Sequence, residues 1–401
     1  MRISTAQMYQ SNSATITAKQ AELARIQDQL STGLRIASLA DDPAAAAGAS
    51  GLRSEVAASG QFEQNRQLAL EHLSFAENVL GAVTDNLQSA REALVNAGNG
   101  ALSDSDRKTI AGRLKESLAS LVGLANSADG KGGFLFSGFR ENAPPFAASA
   151  AGVNYVGDDG VRLINVSPSR SVVTAFNGAD VFMRIPNGNG VFSNTALAAN
   201  SGTGTIDGGR VTDAAALTGN SYEIRFQAGA GGTTYDVWDT TNNVALGTGA
   251  PYTSPAAIAL PGGSVTIQGA PATGDIFAVV PSGKQDIFTT LRDAITLLDT
   301  PANGNITKVS NGLRTALTDI DQALTHTSDQ RSAAGARINE LERLGDLGAA
   351  RESDLKATLS SLEDVDYVKT ISDFTVAQSG LQAALSSYAR IAKSNLFDYL
   401  R

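Results

Sequence analysis

The sequence contains no cysteine. That excludes disulfides, thiolate metal ligands and cysteine nucleophiles, although it does not fix a compartment. Only two histidines are present, His72 and His326, far apart in sequence. Each reads as an ordinary helix residue, and together they leave zinc without its usual ligand sets. No apolar run approaches the ~18 residues of a membrane span, and the start, Met1-Arg-Ile-Ser-Thr-Ala-Gln-Met-Tyr9, lacks the apolar core of a signal peptide. The product is expected to be cytoplasmic or exported without a cleaved signal. A basic surface is missing too: the net charge of -9 offers neither nucleic acid nor an anionic membrane anything to hold. Gly130-Lys-Gly-Gly133 lacks the GxxxxGK[ST] pattern of a phosphate loop and reads as a turn. No spacing assembles a nucleophile, a base and an orienting group, so neither catalytic residues nor a cofactor is expected. Asp158, Asp159, Asp180, Asp236 and Asp239 are carboxylates without an organised motif.

What is present is a long apolar stripe between Phe62 and Leu94. Ala69, Ala76, Val83 and Ala90 recur every seven residues, and Leu73, Leu80, Leu87 and Leu94 recur every seven between them. This pattern predicts one helix, ~50 Å long over that stretch, whose seam needs another helix laid along it. Leu73, Leu80, Val83, Leu87 and Leu94 are the candidate core of a helical rod.

Around the stripe, residues 1–35 read as helix after an irregular start, with Ile16, Leu23 and Leu30 heptad-spaced and Gly33 interrupting. Asp42 as N-cap and Pro43 at the first helical position open the next helix. Asn96 to Gly100 is a turn, and Ser103 with Asp106 makes a capping-box start for a helix carrying Ile110, Leu114, Leu118 and Leu121. Composition then changes. Gly130 to Phe139 reads as a turn followed by a short extended element. Strand candidates follow at 153–156, 161–166, 181–185, 222–226, 235–238, 265–267 and 276–280, with Asp158-Asp-Gly160 at hairpin spacing between the first two. Asn187 to Gly219 reads as a boundary between two β units or as a long loop.

Helical periodicity resumes from Ile287 to Leu298, stops at Pro301 and Gly304, and runs again from Ile306 to Leu341, where Gly345 and Gly348 are expected to break or soften it. A last apolar run from Leu355 to Ile391 carries Glu363-Asp-Val-Asp366. On one helix, Glu363 and Asp366 share a face, as a cation site, an acid pair, a solvated face or an ion-pair patch.

The predicted fold is a mostly α rod of long antiparallel helices with a discontinuous β-rich insert, α+β in class. Residues 1–42 and 356–401 would be terminal helices, 43–145 and 284–355 the rod, and 146–283 the insert, divided near 187–219. Both terminal segments show single apolar stripes with no evident third segment to cover them. They are expected to gain order on association, as in a structural polymer subunit.

Five stretches carry a family resemblance. Leu30-Ser-Thr-Gly-Leu-Arg-Ile36 with Asp41-Asp-Pro-Ala44, Asn86 to Leu94, Glu363-Asp-Val-Asp-Tyr367 and the ending Asn395-Leu-Phe-Asp-Tyr-Leu-Arg401 resemble the flagellin superfamily over about residues 1–145 and 305–401. Met1 to Tyr9, Gly133-Phe-Leu-Phe-Ser-Gly-Phe139 with Pro144-Pro-Phe146, and Asp42-Pro43 look like the hook-associated branch that joins hook to filament. Leu34-Arg-Ile36 and the Leu-Arg ending look like filament flagellin. The resemblance implies a flagellin-like fold and an extracellular place on the flagellum, reached through type III export. It implies flagellin, another hook-associated protein at the hook side, a ring of its own copies, an export chaperone and the export apparatus as partners, with neither nucleic acid nor membrane among them. It makes Ile16, Leu23, Leu30, Leu381, Leu385 and Tyr388 candidate intersubunit or chaperone contacts. Arg35, Arg91, Glu363 and Asp366 become candidate intersubunit ion pairs, with ordinary surface charge the competing reading for the arginines. Outside the family, a glycan-binding or hydrolytic module in the insert and a cytoplasmic coiled-coil scaffold are the other classes.

Overall fold

In the computed structural model, which describes residues 5–36, 38, 40–130, 132–140, 142–149 and 152–393, three α-helices precede the β-rich insert and three follow it. They are α1 (Thr5–Thr32), α2 (Pro43–Ala97) and α3 (Asp104–Ala125), then α4 (Ile287–Asp299), α5 (Ile306–Glu363) and α6 (Tyr367–Lys393). The stretch Met1 to Ser4, Lys131 and the ending Asn395 to Arg401 lie outside the described residues. None of the described helices is long and apolar enough to cross a membrane.

Local chemistry sets the helix ends. Gly33 stops α1 in a left-handed conformation, φ +71°, and a Cβ there would lie 2.9 Å from the Tyr367 hydroxyl. Asp42 accepts the Ala45 backbone N–H at 3.0 Å to open α2 at Pro43. At α3, Ser103 and Asp106 form a complete capping box. Hydrogen bonds from Ser103 hold the Asp106 carboxyl below its ordinary range. Asp286 caps α4 by accepting from the Thr289 N–H at 2.6 Å.

Two helical expectations are corrected. The first concerns α5, which runs unbroken through Gly345 and Gly348. Each glycine costs ~1 kcal/mol against alanine, and the strong helix formers Leu344, Leu347, Ala349, Ala350 and Arg351 carry the helix past them. The break falls instead at Asp364–Asp366, inside the apolar run from Leu355 to Ile391. There the Val365 N–H leaves the helical pattern to donate to the Gly33 carbonyl at 2.9 Å. Asp366 then accepts the Lys369 N–H at 3.1 Å at the start of α6. Glu363 and Asp366 therefore do not share a helix face, and no group of three or more metal-ligating side chains exists among the described residues.

The chain forms two compact units, 1–64 with 343–401, and 65–342. In the second, the stripe of α2 is sealed: Leu73, Leu80, Val83, Leu87 and Leu94 are fully buried, with Ala69, Ala76 and Ala90 between them. From α5 come buried Val309, Leu313, Ile320, Ala323, Ala334 and Leu341. Glu77 pairs with Arg331 at 2.7 Å and Arg91 with Asp321 at 2.6 Å. Ascending α2 thus meets descending α5, an antiparallel pair. α3 and α4 pack against each other in the same unit.

The insert begins with two hairpins, β1 (Phe146–Ser149) with β2 (Gly152–Tyr155), and β3 (Leu163–Ser167) with β4 (Arg170–Val173). Asp158-Asp-Gly160 is therefore no hairpin turn between β2 and β3. The Asp158 carboxylate instead accepts from the Phe139 and Gly160 N–H groups, each at 2.8 Å, and ties the segment to the turns before β1. Those turns, Gly133 to Phe139, contain isolated bridges rather than the expected extended element. The 181–185 stretch is also corrected. Ala179–Met183 forms one π-helical turn, and β5 (Ile185–Pro186) is all that is extended. Ala179, Val181 and Phe182 are all buried, which alternation along a strand would not allow for neighbours. Phe182 lies edge-on to Phe136 at 5.1 Å and to Phe146 at 5.3 Å.

Beside this aromatic cluster, the Tyr155 hydroxyl hydrogen-bonds the carbonyls of Phe136 at 3.1 Å and Asp158 at 2.8 Å. Burial pushes its phenol up to about 12. The folded value lies above the ordinary one of ~10. Its contribution to stability is therefore complete below ~pH 10 and lost as pH rises through about 12. Tyr155→Phe is expected to cost about 1 kcal/mol at neutral pH and to remove the latest step from the tyrosinate absorbance titration. Denaturant melts and that titration check both.

The rest of the insert is a sandwich. One sheet has the order β11 (Val244–Pro251), β10 (Gly232–Asp239), β9 (Tyr222–Gly229), β14 (Ile276–Pro281), β6 (Phe192–Ala196). The other has β12 (Ala256–Leu260), β13 (Gly263–Gln268) and β7 (Thr205–Ile206), with β8 (Arg210–Val211) also on β13. A last strand, β15 (Lys284–Gln285), pairs with β5. Pairing is antiparallel throughout. Tyr222, Ile224 and Phe226 alternate inward from one sheet and meet Ile258, Leu260, Val265 and Ile267 from the other in a single core. The stretch 187–219 supplies β6 to the first sheet and β7 and β8 to the second.

Candidate assembly surface

The first unit brings helix α1, early in the sequence, beside helix α6, late in it. α1 and α6 lie side by side, and their roots are joined by backbone hydrogen bonds. The Arg35 N–H donates to the Glu363 carbonyl at 2.6 Å, and the Val365 N–H to the Gly33 carbonyl at 2.9 Å. Leu34 and Asp364 form an antiparallel bridge. Side chains reinforce this clasp. The Arg35 guanidinium donates to the Leu362 carbonyl at 2.6 Å, and the Gln29 amide donates to the Arg35 carbonyl at 2.8 Å. Arg53, on α2, meets the Glu363 carboxylate at 2.7 Å, with the Glu363 side chain only 8% exposed. A carboxylate removed from water to that extent is costly without a cation, and the arginine offsets that cost. The motifs Leu30 to Ile36 and Glu363 to Tyr367 are therefore two halves of one structure.

The four candidate ion-pair residues all have partners within their own chain. Glu363 is held by Arg53. Asp366 caps α6. Arg35 lies 3.8 Å from Asp42 in an exposed, loose pair. Arg91 in the second unit bonds Asp321, and that hydrogen bond pushes its guanidinium pKa further up. Both arginine–aspartate pairs are open to solvent, where such pairs contribute little to stability. His326, read as an ordinary helix residue, has its Nε2 atom 2.7 Å from the Asp180 carbonyl and links α5 to the π-helical turn.

Ile26, Ile36, Val365 and Ala377 are buried in the first unit. Ile16, Leu23, Leu30, Leu381 and Tyr388 are half-buried, and Tyr9 meets Tyr388 edge-on at 6.0 Å. The terminal stripes therefore cover each other in part, and the side chains that remain open are those for which no third segment was expected. The cover is incomplete. Val368 is 83% exposed, Val376 68%, Ile371 54% and Leu385 44%. A helix carrying so many open apolar side chains presents a surface suited to further packing. Arg53 and Gln29 carry no signal in the sequence, because their partners are set by the clasp and not by spacing.

Comparison with known proteins gives a consistent picture. Residues 3–141 match the bacterial flagellin N-terminal helical region and residues 317–400 the bacterial flagellin C-terminal helical region. Over 411 aligned residues the chain is 29% identical to flagellar hook-associated protein 3 of Salmonella typhimurium, with all of both chains covered. Phase 1 flagellin of Salmonella naestved is 33% identical over 113 residues, only 28% of this chain and 22% of that protein. Among solved structures, FlgL of Xanthomonas campestris is 34% identical with a TM-score of 0.70, covering 77% of this chain and 99% of that one. Flagellar hook-associated protein-3 of Legionella pneumophila is 30% identical with a TM-score of 0.73, covering 78% and 98%.

Proposed function

The chain belongs to the flagellar hook-associated protein 3 family, and from that membership we infer that it is the structural subunit joining the bacterial flagellar hook to its filament. It is not an enzyme; its work is packing. The observation that carries this reading is the end-to-end match, insert included, to hook-associated protein 3, set against a flagellin match confined to 28% of the chain. Its place is the flagellum, outside the cell, and membership in the family implies flagellin, hook proteins and the export apparatus as partners.

In finer detail, copies of the chain form a ring between another hook-associated protein and the first flagellin subunits. Residues 1–42 and 356–401 line the inner layer, 43–145 and 284–355 the next, and 146–283 the outside. An export chaperone covers the apolar face of α6 before assembly. The open apolar side chains of α6 support this arrangement, since neighbours or a chaperone would remove them from water. Deletion of the gene is the test, read by electron microscopy and by flagellin in the culture supernatant. Hooks without filaments, with flagellin shed as monomer, are the expected result. Hooks that retain their junction but carry missing or shortened filaments would identify a flagellin instead.

A further inference from the structure

In the second unit a cavity of about 330 Å³ opens between α4, α5 and the sheet-edge strand β6. Leu197, Ala294, Leu297 and Ala316 give it an apolar wall. Most polar groups on that wall are already engaged. The Asn311 amide accepts from the Ile206 N–H and donates to the Gly204 carbonyl, both at 3.0 Å. The Thr290 hydroxyl accepts from Gln285 at 2.9 Å.

Asp319 differs from these. It lines the cavity at 8% exposure, accepts a hydrogen bond from the Gly188 N–H at 2.7 Å, and has no ion-pair partner among the described residues. Burial pushes its carboxyl up, as expected where a carboxylate loses water without gaining a cation. Asp293, exposed, also lines the cavity but lies 3.9 Å from the Arg292 guanidinium, and the exposed Lys308 sets a positive charge at the rim, so Asp319 is the carboxylate left for a guest. A guest with a cationic head and an apolar body would complement both the carboxylate and the wall, and the volume lies within the ~300–1,000 Å³ of small-molecule sites.

We propose that this cavity binds a small primary alkylammonium, its head hydrogen-bonded to the Asp319 carboxylate and its chain against Leu197, Leu297 and Ala316. Charge-assisted hydrogen bonding fixes the head, and the apolar wall selects against a bare inorganic cation. The site is independent of the assembly surface, which belongs to the other unit.

The test is titration calorimetry on the full chain with n-pentylammonium, n-pentanol and n-pentanoate. Pentylammonium is expected to bind about tenfold or more tightly than pentanol, and pentanoate not at all. Asp319→Asn should erase the advantage of the ammonium over the alcohol, and Ala316→Leu, which narrows the cavity beside Asp319, should weaken binding of both. Equal affinity for ammonium and alcohol, no binding of pentylammonium, or an unchanged ammonium preference in Asp319→Asn would each overturn the proposal. Should Asp319→Asn fail to fold by circular dichroism, the ammonium–alcohol comparison on the unaltered chain still decides.

Discussion

Replacing Leu80 with alanine is expected to lower the unfolding free energy by about 2–5 kcal/mol, among the larger losses a single core truncation produces. Leu80 has no exposed surface and sits in an unbroken buried row with Leu73, Ala76, Val83 and Leu87. The alanines of that row already bring α2 close to whatever packs against it, so little nearby chain can collapse into the space left behind. The transfer loss and the cavity loss therefore add. Leu68→Ala is the control, because Leu68 is 37% exposed on the same helix and its truncation should cost well under half as much. Denaturant midpoints at unchanged m-value measure the difference. Similar losses for the two leucines would mean that the stripe is not what holds α2 in place.

The second large effect is expected on assembly. Leu381→Asp combined with Leu385→Asp should abolish filament attachment and weaken export-chaperone binding by about thirtyfold or more, as loss of an apolar anchor typically does. Leu381 is half-buried and Leu385 44% exposed on α6. A carboxylate at either position remains tolerable while solvated and becomes costly once a partner excludes water. Unfolding of the second unit should stay unchanged, since neither residue belongs to it. The paired Leu381→Met and Leu385→Met substitutions keep the apolar surface and should keep attachment. Wild-type attachment and chaperone binding in the double aspartate variant would remove these residues from the assembly surface.

What the sequence reveals depends on the range of the interaction. The stripe from Ala69 to Leu94 is legible because one helix face repeats every few residues, and the starts of α2 and α3 are legible because Asp42, Pro43, Ser103 and Asp106 act on their own neighbours. The same local logic misjudges α5, since Gly345 and Gly348 are weak breakers inside a long helix held by packing. It also misses the break at Asp364–Asp366. Apolar periodicity continues through Val365, and the group that draws its N–H away, the Gly33 carbonyl, belongs to the other end of the chain. The Val181–Ile185 run reads as strand from its composition, yet its neighbours are buried together in a π-helical turn. Asp158 reads as a hairpin turn residue, yet its carboxylate is used by Phe139. On the paired terminal helices, the packing of Ile16, Leu23, Leu30 and Leu381 follows from apolar spacing, while Arg53 and Gln29 act through contacts that only the closed clasp creates.

The clasp also sets a timetable. Arg35 and its hydrogen-bond acceptor Leu362 are separated by 327 residues, and closing a loop of that length has an entropic cost on the order of 5 kcal/mol. The intervening helices and sheets shorten the span and lower that cost, so the clasp is expected to form after them. On the ribosome it cannot close until almost the whole chain has been made. The root of the terminal helices therefore marks a chain whose two distant segments, 33–35 and 362–365, have both been made and brought together.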